Sequence, residues 1–169
     1  MSWLQHIKGV LIALISALVL LFVISFFVGD EVRVRKSYVV NVKSDSLYAF
    51  IKNPLNFKNI LDGTDDLKIT ILKNNEGVQY IGFDENLHTF KYNYLDRSKG
   101  LELNYFKDEE EQAVFKYKVI DKESGSILDI EKIWKIAANP LVKLLSIGSD
   151  EDIEVGMNSD VKLIKSVLE

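Results

Sequence analysis

The stretch GVLIALISALVLLFVISFFVG, Gly9 to Gly29, constrains this chain most, because no side chain between Lys8 and Asp30 carries a charge. Wound as a helix at about 1.5 Å per residue it is roughly 31 Å long, the thickness of a bilayer's hydrocarbon core. A helix in a soluble core would bring a polar face round every third or fourth residue, whereas this run has only Ser16 and Ser25. Each hydroxyl can bond a carbonyl one turn back, so both are tolerated in lipid. A secretory signal peptide is the rival. Its apolar part is about 7–15 residues long and is followed by small residues for the protease. Here the run is longer and closes on Ser25-Phe26-Phe27-Val28. The expectation is an uncleaved single-pass anchor in the cell membrane, with residues 10–28 in the bilayer and Trp3 at the near boundary.

Lys8 and the amino terminus flank the run on one side, and Arg33, Arg35 and Lys36 on the other. The positive-inside rule leans towards a cytoplasmic domain. Those three residues fit a folded strand equally well, so the side stays open.

The rest of the chain holds all 25 acidic residues and all but one of the 21 basic ones, a net charge of about −5. Nucleic-acid binding needs a basic footprint and is not expected. With no Cys, disulfides, thiolate metal sites and a Cys nucleophile are excluded. With only His6 and His88, a histidine-rich metal site is excluded as well. No metal and no cofactor is expected.

After Asp30 the pattern turns amphipathic. EVRVRKSYVVNV alternates, with Val32, Val34, Tyr38, Val40 and Val42 on one face and Arg33, Arg35, Ser37 and Asn41 on the other, which predicts a half-buried strand. KSDSLYAFIKN predicts a helix with Ser44 as its cap and Leu47, Phe50 and Ile51 as its apolar side. Asn53-Pro54 ends it and opens a second short helix bearing Phe57, Ile60 and Leu61. From Leu67 to Ala137 the period is two, broken by turn-like links, giving six strands in a meander, near 67–73, 77–84, 87–95, 101–106, 112–121 and 126–137. Asn139-Pro140 caps a short helix. Ser149 with Asp152 predicts a capping box for a last helix, whose stripe is Ile153, Met157, Val161, Ile164 and Leu168.

Counting faces gives an α+β architecture in which a seven-stranded antiparallel sheet buries one face under the long C-terminal helix. The expected division is a membrane anchor at 1–30 and one domain at 31–169. The order strand, two short helices, six strands, long helix resembles the START-like, or SRPBCC, superfamily, which includes polyketide cyclase/dehydrase-like and Bet v 1-like helix-grip proteins. The resemblance lies in YVVNVKSDSLYAFIKNPLNFKNI, GSILDIEKIWKI and GMNSDVKLIKSVLE, and covers about Val32 to Glu169. It implies a curved sheet gripping the last helix around a space for lipids, sterols, polyketides or other apolar molecules, and in a few members a reaction there. NNEGV lacks the glycine-rich loop of the plant allergen branch, which argues against a phosphate role.

Strict alternation points Lys132 inward with Leu128, Ile130, Trp134 and Ile136. A buried ammonium needs a partner, and an acidic or carbonyl ligand head could supply it. On that basis Lys132→Met would weaken such a ligand while leaving or raising the stability of the domain. The plainer reading is a bulge, or a side chain that snorkels to the rim. His88 shares a face with Phe90, Tyr92 and Tyr94, though its place beside a turn also fits plain exposure. Tyr92, Tyr94, Tyr105 and Tyr117 fall on successive inner rows and would suit an amphipathic pocket, or simply fill a half-buried core. Asp108–Glu111 reads as a solvated hairpin tip, and Asp129 with Glu131 as a pair on the outer, wet face. No nucleophile, base and orienter come together, so there is no catalytic assignment.

The candidate ligand site is therefore Lys132, Trp134, His88, Tyr92, Tyr94, Tyr105 and Tyr117. The reading favoured is a membrane-tethered binding module for an apolar or amphipathic small molecule, lipids among them. A cyclase- or dehydratase-type enzyme in the same cavity and a ligandless protein-interaction module are the alternatives. The oligomeric state is left open.

Overall fold

The computed structural model describes residues 3–53, 56, 69–73, 79–83, 88–95, 98–107 and 109–169. Helix α1 (Trp3–Ser25) holds the apolar run as far as Ser25, with Phe26–Val28 following as a turn, and every side chain from His6 to Ile24 is exposed. Its residues from His6 to Ser25 are long and apolar enough to cross a membrane, a property that a signal sequence shares. Strand β1 (Glu31–Val40) and helix α2 (Ser44–Lys52) follow. The meander is β2 (Ile69–Lys73), β3 (Gln79–Phe83), β4 (His88–Leu95), β5 (Gly100–Lys107), β6 (Glu110–Lys122) and β7 (Gly125–Lys135). Helices α3 (Pro140–Leu145) and α4 (Ser149–Leu168) close the chain.

All seven strands form one antiparallel sheet in the order β1-β7-β6-β5-β4-β3-β2. Each meander strand is the neighbour of the last, and β1 closes on β7, with Val34 opposite Lys132 and Tyr38 opposite Leu128. Between β5 and β6 the register slips after Tyr105: Tyr105 faces Ala113 but Phe106 faces Glu111, leaving Gln112 as a bulge. Such an extra residue adds local bend and twist.

The concave face carries the core. Val40, Leu101, Leu103, Tyr117, Leu128 and Ile130 meet Leu47 and Ile51 of α2 and Met157, Val161 and Ile164 of α4. Ile153 and Leu168 pack at the margin of this cluster, half-buried. Each large apolar side chain taken out of water contributes about 1.5–3 kcal/mol, which is why the 3.6-residue stripe of α4 seats on the period-two face of the sheet.

Helix ends depart from expectation in two places. Lys43, not Ser44, is the N-cap of α2, and no side chain caps it. The Ser44 hydroxyl donates instead to Asp121 and accepts from Lys99, tying the helix to the β6 end. The expected capping box of α4 is absent too. Gly148 holds the cap position at φ 90°, and the Ser149 hydroxyl turns back to the Ser146 carbonyl at 2.7 Å. Asn139 does cap α3, its side chain accepting from the Leu141 N–H at 2.9 Å. The expected second helix around Phe57–Leu61 lies outside the described residues.

Candidate functional site

The site starts from the alternation of β7. Leu128, Ile130, Lys132 and Trp134 point towards α4, and Asp129, Glu131 and Ile133 point away. Lys132 stays in register, opposite Val34 on one side and Phe115 on the other. Its ammonium donates to Asp160 Oδ2 of α4 at 2.6 Å, with the two side chains 12% and 10% exposed. The same nitrogen stands 5.5 Å from the centre of the Phe115 ring. Burial pushes the Asp160 carboxyl above its ordinary range, and Lys132 pulls it part of the way back. The cation expected to await a ligand is thus already paired within the protein.

One strand pair further along, four rings form a continuous surface. Phe90 stacks on Tyr105 with centroids 4.8 Å apart, Tyr105 meets the edge of Trp134 at 6.0 Å, and Trp134 lies 5.5 Å from Phe115. Register explains the grouping: Phe90 faces Tyr105, Tyr105 faces Ala113, and Ala113 faces Trp134, so the small Ala113 leaves room between two large rings. Phe90 and Phe115 are buried, whereas Tyr105 and Trp134 remain half-buried.

The other candidates fall elsewhere. Tyr92 and Tyr117 are each 1% exposed and belong to the dry core. Burial pushes both phenols well up, so they stay protonated. Tyr94 leans on α2, donating to the Lys52 carbonyl at 3.3 Å, and the Lys52 ammonium sits 5.2 Å from its ring centre. His88 opens β4, opposite Phe83 and Lys107, and only its backbone is described.

Two features escape the sequence reading, Asp160 and the Lys36 contact with α4, and two others differ from it. Asp160 interrupts the α4 stripe between Met157 and Ile164, and an acid on an apolar stripe facing an inward lysine was the available signal. Lys36 has the parity of Val34 and Tyr38, and it reaches Glu154 of α4, while Tyr38 donates to Asn158 at 2.9 Å. Asp129 is on the outer face as expected but is not wet: it is 8% exposed, gripped by Arg35 at 2.7 Å and Ser37 at 2.9 Å. The Arg35 bonds come first in holding its carboxyl below the ordinary range. A groove of about 190 Å³ opens on this convex face, lined by Arg35, Gly100, Lys116, Lys118 and Asp129 among others. Glu111, expected at a solvated tip, instead pairs with Lys135 and accepts from Asn104 at 2.6 Å. No group of His, Cys, Asp or Glu suited to a metal occurs among the described residues.

No protein-family model matches the sequence, and the search of curated proteins finds no match. Solved structures do match. The Zhui aromatase/cyclase from Streptomyces sp. R1128 superposes with a TM-score of 0.63 at 12% identity, over 82% of this chain and 93% of that one. A Chromobacterium violaceum protein gives 0.57 at 16% identity, over 81% and 97%. Ara h 8.0201 gives 0.56 at 14%, over 82% and 97%. The chain therefore shares with these structures a helix-grip α+β fold, the fold that the sequence resemblance implies. At these identities the likeness concerns the fold.

Proposed function

We propose that residues 31–169 form a binding module for an apolar or amphipathic small molecule, tethered to the membrane by residues 1–30. The observation that carries this reading is the aromatic surface on the concave face. Phe90, Tyr105, Phe115 and Trp134 offer ring faces and edges, two of the rings are half-buried, and a buried ion pair stands beside them. Apolar walls with a few convergent polar groups are what a small-molecule site requires. The aromatase/cyclase among the structural neighbours supports an aromatic or polyketide-like occupant as one member of that class. The ligandless alternative draws support from the buried rings of Tyr92 and Tyr117.

Native mass spectrometry of the full chain released from mild detergent tests the proposal. A bound apolar molecule near one per chain, depleted in Trp134→Ala and Tyr105→Ala, is the expected result. A chain that is bare by mass and whose tryptophan emission does not respond to added fatty acids or aromatic amphiphiles would leave the ligandless reading standing.

A further inference from the structure

We propose that α3 and the turn after it are a second membrane contact, an apolar wedge that lays the domain on the same bilayer that α1 enters. The inference rests on the reading of α1 as a span. Asp30 is the first charged residue after the uncharged run, so it must stay at the water boundary of the lipid. Two contacts hold the far end of the domain at that depth. The Ile136 N–H donates to the Asp30 carbonyl at 2.8 Å, and the Lys143 ammonium pairs with the Asp30 carboxylate. Helices α1 and α3 also pack against each other.

At this level the surface is apolar. Leu141 is 67%, Leu145 84% and Ile147 63% exposed, and Phe26 and Phe27 stand equally bare at the end of α1. Between Lys135 and Asp150 the only charge is Lys143, and its side chain is turned to Asp30, 15% exposed. Apart from the Asp30–Lys143 pair at its rim, where the Asp30 side chain is 84% exposed, the patch is uncharged and continuous with the apolar helix, so acyl chains and headgroup edges are its fitting cover. Trp134 pairs with Val32, two residues beyond Asp30, which places the aromatic end of the concave face next to the membrane. A ligand dissolved in the bilayer would then reach those rings without crossing water.

The chain has no Cys, so single-cysteine variants carry one label each. In the full chain, Leu141→Cys, Leu145→Cys, Leu18→Cys and Lys122→Cys are coupled to an environment-sensitive dye. All four positions are exposed, so the fold should tolerate them. The proteins are reconstituted in phosphatidylcholine–phosphatidylglycerol vesicles with or without brominated lipid. The proposal expects loss of emission at 18, 141 and 145 and none at 122, the last residue of β6 at the other end of the sheet. Quenching at 18 but not at 141 or 145 overturns the wedge and leaves the tether. No quenching at 18 overturns the tether and the wedge with it. Thiol cross-linking of Leu145→Cys between two chains, without lipid quenching, would assign the patch to a second copy and overturn the wedge.

Discussion

Lys132 and Asp160 are each about a tenth exposed and 2.6 Å apart, so neither charge has water to fall back on. Removing one partner leaves the other buried and uncompensated, at a cost of about 3–5 kcal/mol, whereas replacing both by apolar groups is often neutral. Lys132→Met should therefore destabilise the domain, not leave or raise its stability as the isolated lysine would suggest. The pH dependence has a definite sign. The folded chain already raises the Asp160 carboxyl, and loss of Lys132 raises it further. Stability linked to such a group is full below the ordinary carboxylate range and is lost as pH rises through the folded value. Denaturation of Lys132→Met should thus show a larger deficit at pH 8 than at pH 5, and Lys132→Met with Asp160→Leu should recover most of it. An equal deficit at both pH values would mean that Asp160 is not the group left stranded. Asp129 runs the opposite way. Arg35 and Ser37 lower its carboxyl, so its contribution is present above the ordinary range and lost as pH falls through the lowered value. Asp129→Asn should flatten the acid limb of the stability profile below about pH 4.

Helix α4 and the β6–β7 turn each carry an element-scale prediction. Ile164 is fully buried between α4 and the sheet, so Ile164→Ala should cost about 2–5 kcal/mol in denaturant unfolding. A change within about 0.5 kcal/mol, usual for surface positions, would mean that α4 is seated elsewhere. Gly125 turns β6 into β7 at φ 112°, and a Cβ there would come within 2.6 Å of the Val40 carbonyl oxygen. Gly125→Ala must therefore strain the turn and push β1 away, at about 1–3 kcal/mol for the backbone alone. A variant as stable as the parent would show that the turn relaxes into another conformation at no cost.

For the whole molecule the decisive element is α1. If it spans the bilayer, its hold comes from buried apolar area, which salt does not weaken. The full chain should stay with membranes through carbonate and high-salt washing, and a chain beginning at Asp30 should leave them. Sequencing the mature protein settles the rival, since an amino terminus near Phe26 would identify the run as a cleaved signal.

Periodicity alone marked the longest elements of this protein. A charge-free run, a change to period two and a return to period 3.6 mark α1, the sheet and α4, because backbone geometry repeats locally and burial follows the repeat. It also aimed Lys132 inward, since parity along one strand needs no knowledge of other strands. What faces what across the core was decided only by tertiary structure. Asp160 lies 28 residues from Lys132, and their meeting depends on how α4 crosses the sheet. The grouping of Phe90, Tyr105, Phe115 and Trp134 depends on register across four strands, and the Gln112 bulge shifts that register by a residue. Capping is a local rule and points to Ser44 and Ser149 as caps, yet Asp121 draws the first hydroxyl to a distant strand. Local sequence carries the elements, and contacts between residues far apart in the chain carry the site.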